Sequence, residues 1–426
     1  MRADEHRHLL VVGASLAGLR AARSLREQGF TGALTIVGDE PHPPYDRPPL
    51  SKRVLTAPGH PPDVELPLPH GLEAHWRLGQ AAVRLDPATR TVTLADGTRL
   101  PYDGLVIATG SAARRWPATK PSPPAGVLTL RSRDDALTLR AALAAGRRLV
   151  VVGAGFLGGE IAAAARERGL DTTLVEAAAQ PLQGAVGTTA GAYIAALHRA
   201  AGIDLRTGTT VEGFLDGADG RLTGVHLSDG TTVRADTAVL ALGGTPSTSW
   251  LAGSGLAHDG GVHCDPYLRV LRTDGSVVPE VVAAGDVARA PQPLADGERL
   301  TLGHWTNAVE QGAAAAATLL AGRHPAQAPT PFTTVPSFWS DLHGARIRSV
   351  GLPAVADETR VVEHDLPGRR LEITYHRAGR LVAALTIGRT KRLASYRSAL
   401  RMRAASKVVS DNRGVDAPER LSCRVG

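Results

Sequence analysis

The sequence predicts an α/β protein with two Rossmann-like dinucleotide-binding domains and a smaller C-terminal α/β domain. The main observation is a unit that occurs twice, at residues 9–40 and 149–176. In each copy an apolar stretch, a Gly-rich turn and an Ala-rich stretch lead to a second apolar stretch that ends in a carboxylate. This order is typical of the strand–turn–helix–strand start of a Rossmann unit. Residues 371–375 and 381–387 are alternating or apolar, and they predict strands of the third domain.

The composition is that of an ordinary soluble globular protein. The chain has 426 residues, enough for two or three domains, of which 21% are charged and 43% hydrophobic. No apolar run reaches the roughly 18 residues of a membrane helix, and the first residues are polar, unlike a secretion signal. Cys264 and Cys423 are far apart and form no CxxC motif, which argues against a disulfide framework and a structural zinc site. We expect a cytoplasmic protein without a membrane segment or a metal.

The net positive charge lies at the C-terminal end. The formal charge is +7, and from residue 389 onward ten basic residues stand against three acidic ones, so the rest of the chain is neutral. One interpretation is a solvated helix face with a frayed tail. The other is a docking surface for an acidic partner, because such a field steers encounter. Nucleic acid is disfavoured, because this stretch has almost no aromatic residues and no recognised binding motif.

The second Gly-rich turn fits the dinucleotide-binding pattern completely. Gly153 would make the tight turn, Gly155 would let the backbone approach the pyrophosphate, and Gly158 would let helix and strand pack closely. The phosphates would lie at the helix N-terminus, where free N–H groups and the dipole favour anions. Glu176 follows at the distance expected of the ribose-binding acid. The three alanines after it supply no cation for a 2′-phosphate, so we expect NADH rather than NADPH.

The first Gly-rich turn is a looser copy. Gly13 and Gly18 are present, but Ser15 replaces the middle glycine, and its small side chain should still allow a close backbone approach. Asp39 and Glu40 end the second apolar stretch, and either carboxylate could bind a ribose. Two such units in one chain predict two dinucleotides that face each other, which is the arrangement of a flavoprotein that takes a hydride from a nicotinamide.

Six further stretches carry a resemblance to a known family. They are PHPPYDRPPLSK (41–52), LVIATGS (105–111), LRSRDDA (130–136), AAGDVA (283–288), HWTNAVEQG (304–312) and PSFWSDLHG (336–344). Together with the two turns, and in this order, they resemble the FAD-dependent NADH:ferredoxin reductases of bacterial oxygenase and cytochrome P450 systems, in the pyridine nucleotide-disulfide oxidoreductase superfamily. The resemblance extends through most of the chain. It implies that the first unit binds FAD and the second binds NADH.

The resemblance implies roles for several residues at the FAD. Asp286 would accept hydrogen bonds from the ribityl hydroxyls, the alternative being an aspartate of a strand-end turn. Residues 304–312 would begin a helix, capped by Thr306 or Asn307, whose N-terminus faces the pyrimidine edge of the isoalloxazine and stabilises negative charge there. His304 is expected to be a structural neighbour rather than a proton shuttle. Trp339 would lie on the nicotinamide side of the flavin, or else in the core of the C-terminal domain. The predicted FAD contacts are Gly13, Ser15, Ala17, Gly18, Asp39, Glu40, Arg47, Lys52, Ala82, Ala108, Thr109, Gly110, Arg131, Gly285, Asp286, His304, Trp305 and Trp339.

The resemblance also brings together Lys52 and Glu160, which we expect to be catalytic. The matching residues of the family approach each other beside the flavin N5 and the nicotinamide. A buried Lys–Glu pair is costly and therefore points to function. The alternative is an exposed lysine and a glutamate on the surface of a helix N-terminus. The predicted NAD contacts are Gly153, Gly155, Phe156, Leu157, Gly158, Glu160, Glu176 and Gly243.

Related flavoproteins differ in using a cysteine. Thiol-disulfide reductases carry a CxxxxC pair, and NADH peroxidases, NADH oxidases and coenzyme A disulfide reductases carry one cysteine beside the flavin. The corresponding stretch of this chain has none. Electrons would therefore pass to an outside acceptor, and an acidic [2Fe–2S] ferredoxin fits, with the basic C-terminal end as a candidate docking surface. The alternatives are a flavin oxidase that discharges to oxygen or a quinone, and an interaction flavoprotein similar to apoptosis-inducing factor.

The predicted domain boundaries follow the repeat and two connectors. We expect a split FAD domain at residues 1–115 and 245–325, an NAD domain at 116–244 and a C-terminal domain at 326–405. Pro- and Gly-rich connectors near residues 117–126 and 325–331 mark two of the boundaries. Residues 406–426 lack a useful periodicity and are predicted to be disordered.

Overall fold

The structure is a computed structural model that describes residues 6–321 and 328–415, with side chains as far as residue 406. The first part of the chain contains β1 (His8–Val12), α1 (Leu16–Glu27), β2 (Ala33–Val37), α2 (Arg53–Thr56), β3 (His75–Arg77), β4 (Ala82–Asp86), β5 (Thr91–Leu94), β6 (Arg99–Pro101), β7 (Gly104–Ile107) and β8 (Ser111–Ala113). The middle part contains β9 (Val127–Thr129), α3 (Arg133–Ala145), β10 (Arg148–Val152), α4 (Phe156–Glu167), β11 (Asp171–Glu176), α5 (Gln183–Ala200), β12 (Asp204–Thr207), β13 (Val211–Asp216), β14 (Leu222–Leu227), β15 (Thr232–Arg234), β16 (Thr237–Leu240) and β17 (Gly244–Pro246).

The remaining elements return to the first part and then form the C-terminal domain. The returning segment contains β18 (Val262–His263), β19 (Arg269–Leu271), β20 (Val277–Ala283), β21 (Ala288–Pro291), β22 (Arg299–Thr301) and α6 (Trp305–Ala321). The C-terminal domain contains β23 (Ser337–Leu342), β24 (Ala345–Gly351), β25 (Glu358–Asp365), β26 (Arg370–Arg377), β27 (Arg380–Ile387) and α7 (Leu393–Val415).

The two repeated units form separate parallel sheets. The first sheet has the order β19–β20–β7–β1–β2–β3, and only β19 of these strands runs antiparallel. The second has the order β12–β11–β10–β16–β9, and all its pairs are parallel. The central strands β1 and β10 are continuous apolar runs, as expected of strands buried on both faces.

The first sheet takes strands from both sides of the inserted second unit. Strands β1, β2, β3 and β7 come before it, and β19 and β20 come after it. The chain leaves and re-enters this region through β8 and β17, which pair with each other antiparallel. The predicted boundary at residues 115 and 116 follows β8, and the one at residues 244 and 245 falls within β17.

The C-terminal domain is an antiparallel sheet covered by one helix. Its strands have the order β23–β24–β27–β26–β25, and the predicted strands 371–375 and 381–387 lie within β26 and β27. Helix α7 packs on the sheet through Leu393, Leu400 and Ala404. The predicted fold class is therefore confirmed.

The end of the chain differs from its prediction in one respect. Disorder was predicted from residue 406, but helix α7 continues to Val415. No glycine or proline interrupts residues 393–413, so the backbone hydrogen bonds of the packed part can propagate. Residues 416–426 lie outside the described ranges. Within those ranges, no helix has both the length and the apolar character that crossing a membrane requires.

Candidate functional site

Two adjoining cavities open where strands β1 and β10 end at the Gly-rich turns. The first, of about 580 Å³, is lined by all of the predicted FAD contacts except Gly18. The second is lined by most of the predicted NAD contacts, whereas Gly158 lines neither cavity and Glu160 lines the first. The residues that line both cavities are Ser111, Leu130, Arg131, Phe156, Leu157, Asp286 and Gly303. The two cavities therefore share one wall.

The first Gly-rich turn leaves no room for side chains at its first and third positions. A Cβ added to Gly13, whose φ is +122°, would lie 2.0 Å from the carbonyl oxygen of Ala108. A Cβ added to Gly18 would lie 1.8 Å from the carbonyl oxygen of Gly13. Gly18 thus acts by close packing within the protein, which explains why it does not line the cavity. Ser15 is the N-cap of α1 and makes no capping hydrogen bond with its side chain.

The second turn repeats this geometry. A Cβ added to Gly158 would lie 1.9 Å from the carbonyl oxygen of Gly153, and the Gly153 amide donates to the Val175 carbonyl over 2.7 Å. A Cβ added to Gly155 meets no protein atom within 4 Å. The middle glycine is therefore not required by contacts within the protein. It leaves space beside the N-terminus of α4, where backbone N–H groups favour an anion.

The carboxylates after β2 have different surroundings. Glu40 accepts hydrogen bonds from the Tyr45 hydroxyl and, over 2.6 Å, from Arg47 Nη2. Arg47 Nη1 in turn donates to the carbonyl oxygen of Arg131 over 2.7 Å. Asp39 is exposed, and one of its oxygens accepts the Glu40 amide. Glu40 is thus occupied in fixing Arg47 at the cavity wall, while Asp39 has the freer carboxylate.

A helix cap places a cation beside Asp286. Ser132 and Asp135 form a capping box at the start of α3, and Asp135 also accepts the Arg131 amide over 2.8 Å. The Arg131 side chain then donates to Asp286 Oδ2 over 2.9 Å and to the Ser111 carbonyl over 2.7 Å. Asp286 lies in a short turn that follows β20. Its other oxygen is available to accept a ligand hydroxyl.

Lys52 and Glu160 form an ion pair between the two units. Lys52 Nζ donates to Glu160 Oε2 over 2.6 Å, and Ser51 Oγ donates to the same oxygen over 2.5 Å. Ser340 Oγ donates to Glu160 Oε1 over 2.6 Å. The Glu160 side chain is 7% exposed and that of Lys52 is 27% exposed. The alternative of a separate, exposed lysine and a surface glutamate is therefore wrong.

Aromatic side chains line the region where the cavities meet. The Phe338 ring lies 4.8 Å from the ring of Phe156 and 5.4 Å from that of His304, between centroids. The Trp339 ring contacts Trp305 edge to face at 5.9 Å. Because Trp339 is half-buried and lines the first cavity, its alternative placement in the core of the C-terminal domain is wrong.

Helix α6 begins at Trp305, before the predicted capping residues. The Thr306 hydroxyl instead donates to the Ser337 carbonyl over 2.9 Å, and the Asn307 amide donates to the Leu302 carbonyl over 3.1 Å. Neither side chain caps the helix, because each is used to hold a neighbouring segment. The first turn of α6 still lines the first cavity through Trp305.

His304 is half-buried beside the start of α6, with its Nδ1 atom fully buried. Burial lowers the pKa of its imidazole to about 4, against a smaller opposite effect of Asp286. The ring is therefore neutral near pH 7, and its Nδ1 has no hydrogen-bond partner among the described residues. A neutral, half-buried imidazole is suited to packing and to one hydrogen bond with a ligand. This supports the prediction of a structural neighbour.

Glu176 organises the turn from which α4 starts. One carboxylate oxygen accepts the Ala154 amide over 2.7 Å, and the other accepts the Ala178 amide over 2.8 Å. In the same cavity, the Lys120 ammonium lies 4.9 Å from the ring centroid of Trp116 and donates to backbone carbonyls of β13. The wall of the second cavity thus carries the Glu176 carboxylate followed by alanines, and the Lys120 ammonium on the same wall is bound to the backbone.

Cys264 lies away from both cavities. It is fully buried in the core of the first sheet, and its thiol donates to the Val262 carbonyl. Burial raises the pKa of the thiol, so it stays protonated and inert. Cys423 lies outside the described residues. Neither cavity is lined by a cysteine within the described ranges.

Several residues at the cavities were not singled out from the sequence. Tyr45 lies within the stretch 41–52, and Phe338 and Ser340 lie within 336–344, so the motifs located them without revealing their contacts. Trp250 lines the first cavity, and its buried indole N–H has no partner among the described residues. Nothing in the sequence around Trp250 indicates this position.

Comparisons with known proteins agree with this geometry. Residues 7–312 match the protein family described as "Pyridine nucleotide-disulphide oxidoreductase", and residues 337–417 match the family described as "Reductase C-terminal". Rhodocoxin reductase of Rhodococcus erythropolis is 37% identical, over 83% of this chain and 80% of its own length. The ferredoxin reductase component of chlorobenzene dioxygenase from a Cupriavidus strain is also 37% identical, over 81% and 80%. The solved complex of putidaredoxin reductase with putidaredoxin aligns with a TM-score of 0.86 at 30% identity, over 94% of both chains. The predicted resemblance is confirmed, and this chain belongs to the pyridine nucleotide-disulphide oxidoreductase family, among its ferredoxin reductases.

Proposed function

We propose that this chain is an FAD-containing NADH:ferredoxin reductase that supplies electrons to an oxygenase or a cytochrome P450. The observation that carries the proposal is the wall shared by the two cavities. Phe156 and Leu157, at the start of α4, line both of them, and Glu160 reaches into the first. Two nucleotides held at the two Gly-rich turns would thus meet at this wall. For hydride transfer, a protein must hold the two reactive groups in contact and exclude water.

The first cavity fits FAD. The N-terminus of α1 faces this cavity, because its N-cap Ser15 and the first residues of the helix line the cavity wall, and a pyrophosphate is favoured there. Arg47 and Arg131 line the cavity as cations that are already held by carboxylates. The buried polar atoms of Trp250 and His304 that have no partner in the described part of the chain belong to residues of the same cavity. The flavin would supply the chemistry, by accepting a hydride and giving up its electrons one at a time.

Among the described residues no cysteine lines either cavity, which supports an outside acceptor. Cys264 is buried elsewhere and cannot relay electrons. Relatives with this architecture act with ferredoxins, as their names state. The acceptor in this proposal is a [2Fe–2S] ferredoxin with an acidic surface.

The preference for NADH rests on Glu176. Its carboxylate would accept the ribose hydroxyls of NADH and repel the additional phosphate of NADPH. Lys120 lines the same cavity, but its ammonium is bound to two backbone carbonyls. A cytoplasmic location is part of the proposal, because NADH is supplied there.

Ion pairs within the chain reduce the number of basic C-terminal residues that could attract an acidic partner. Arg389 forms a bidentate pair with Glu363, and Arg392 lies 3.5 Å from Glu372. Lys391 and Arg401 are exposed and pair with no carboxylate among the described side chains. These two residues are therefore the better candidates for attracting an acidic partner.

Anaerobic stopped-flow spectroscopy tests the proposal. We expect NADH to bleach the flavin quickly, air to reoxidise it slowly, and cytochrome c to be reduced rapidly only after a [2Fe–2S] ferredoxin is added. Rapid NADH turnover with oxygen or a quinone alone would establish the oxidase alternative. Slow flavin reduction with a persistent charge-transfer complex would instead indicate an interaction flavoprotein.

A further inference from the structure

Strand β23 of the C-terminal domain borders the first cavity through Phe338 and Trp339. Phe338 and Ser340, two residues apart, contact Phe156 and Glu160, which lie four residues apart on one face of α4. Trp339, between them, contacts Trp305 at the start of α6. One strand thus touches the helix of the NAD turn and the helix beside the FAD cavity.

The Glu160 carboxylate joins three parts of the chain. Its Oε2 accepts hydrogen bonds from Lys52 and Ser51, which come after the first Gly-rich turn in the chain. Its Oε1 accepts a hydrogen bond from Ser340. Ser340 is fully buried, and among the described residues it is the only hydrogen-bond donor to Oε1. With both oxygens bound, the carboxylate has one orientation. Without the Ser340 hydroxyl, it could pivot about Oε2 and draw the Lys52 ammonium with it.

We propose that Ser340 is a positioning residue for hydride transfer, which fixes the Lys52–Glu160 pair at the wall between the two cavities. The proposal rests on the proposed function. A hydroxyl of the C-terminal domain thereby sets the geometry of a pair whose members come from the FAD and NAD domains. Ser340 contributes to the reaction without touching the reacting atoms.

The test compares full-length, FAD-loaded S340A with wild type and with S349A. Ser349 is a matched control, because it is equally buried in the same domain and its hydroxyl bonds a backbone carbonyl of β27. In S340A we expect the rate constant of anaerobic flavin reduction by NADH to fall by about 10-fold, since small displacements of reacting groups cost up to about 100-fold. The dissociation constant of NADH, read from the same traces, should change by less than about 2-fold.

Two further readouts separate positioning from a merely structural role. The long-wavelength charge-transfer absorbance of the reduced protein with NAD⁺ should weaken in S340A and stay unchanged in S349A. S340T keeps the hydroxyl and should recover most of the rate. If S340A and S349A reduce at the wild-type rate with the same absorbance, Ser340 has no positioning role, even where S340A unfolds at a lower temperature. If NADH fails to reduce the flavin of the wild-type protein, the proposed function itself is refuted.

Discussion

The ammonium of Lys52 lies 2.6 Å from the carboxylate of Glu160, although 108 residues separate them in the chain. Lys52 follows the first Gly-rich turn, and Glu160 lies on the helix that follows the second. The pair forms only because the two nucleotide-binding units pack together. It lies at the wall that the two cavities share, since both residues line the first cavity next to Phe156 and Leu157.

Removing the charge of Glu160 should slow hydride transfer. E160Q replaces an acceptor of three hydrogen bonds by an amide that must turn a donor toward a serine or toward Lys52. We expect the rate constant of flavin reduction to fall by about 10- to 100-fold, because the pair loses its fixed geometry. Stopped-flow reduction under anaerobic conditions measures this. E167Q, an exposed substitution on the same helix, is the control, and equal rates in the two variants would contradict a role of the pair.

Alanine at two glycines of the second turn should affect different properties, stability at Gly158 and NADH binding at Gly155. G158A places a Cβ 1.9 Å from the Gly153 carbonyl, and overpacking of this kind costs about 1–3 kcal/mol of the free energy of unfolding. G155A meets no protein atom, so its unfolding midpoint in urea should stay at the wild-type value. Its dissociation constant for NADH should rise, because the Cβ would occupy the predicted pyrophosphate position. Wild-type binding of NADH by G155A would refute that position.

Substitution of Glu176 should weaken the preference for NADH. In E176Q the negative charge that opposes a 2′-phosphate is lost, and one of the two backbone amides loses its acceptor, because the glutamine NH2 group cannot accept a hydrogen bond. We expect the ratio of kcat/KM for NADH over NADPH to fall by about 10-fold, equivalent to about 1.4 kcal/mol. D171N, at the opposite end of β11, is the control. An unchanged ratio in E176Q would show that another residue selects the cofactor.

His198 should make the protein less stable in acid. Burial, and to a smaller extent the neighbouring His343, lower the pKa of His198 to about 3, and the two rings are joined over 3.0 Å between Nδ1 and Nε2. Arg166 and Arg369 also lie near His343 and oppose protonation there. Because the unfolded chain binds the proton near pH 6.5, stability is fully present above that pH. It is then lost at up to about 1.4 kcal/mol per pH unit as the pH falls toward 3.

The unfolding midpoint in urea between pH 8 and pH 4 measures this dependence. H198Q should show a shallower loss of stability with falling pH than the wild type, whatever its stability at pH 8. H60Q, at an exposed histidine, should keep the wild-type slope. A slope in H198Q equal to that of H60Q would mean that His198 does not carry the acid sensitivity.

Charge reversal at the C-terminal end tests the docking surface. The double variant K391E/R401E should raise the KM for an acidic ferredoxin by about 10-fold at low salt and flatten its dependence on ionic strength, because long-range attraction is screened by salt. Flavin reduction by NADH should be unaffected. The control is R84E/R99E, which reverses two exposed charges on β4 and β6. If both double variants change the KM equally, the effect is one of net charge and not of this surface.

The Gly-rich turns and the strands beside them are predictable from the sequence because their causes are local. Gly13, Gly18, Gly153 and Gly158 are needed where a Cβ would collide with the turn itself or with the adjacent strand. The apolar runs of β1 and β10 and the strands β26 and β27 follow from short-range patterns. Disorder was expected from residue 406, whereas helix α7 continues to Val415, because lack of a hydrophobic pattern does not prevent a helix from continuing once part of it is packed.

The sequence by itself determined two nucleotide-binding units, the residues of each turn and the absence of a cysteine between the two units. Only the tertiary structure decided which groups meet. It pairs Glu160 with Lys52 and Ser340, residues 108 and 180 positions away, and it neutralises Arg389 with Glu363 within the basic end. The physical reason is that hydrogen bonds and ion pairs act over about 3 Å. Packing of distant segments therefore decides which atoms come within that range, and no local pattern records it.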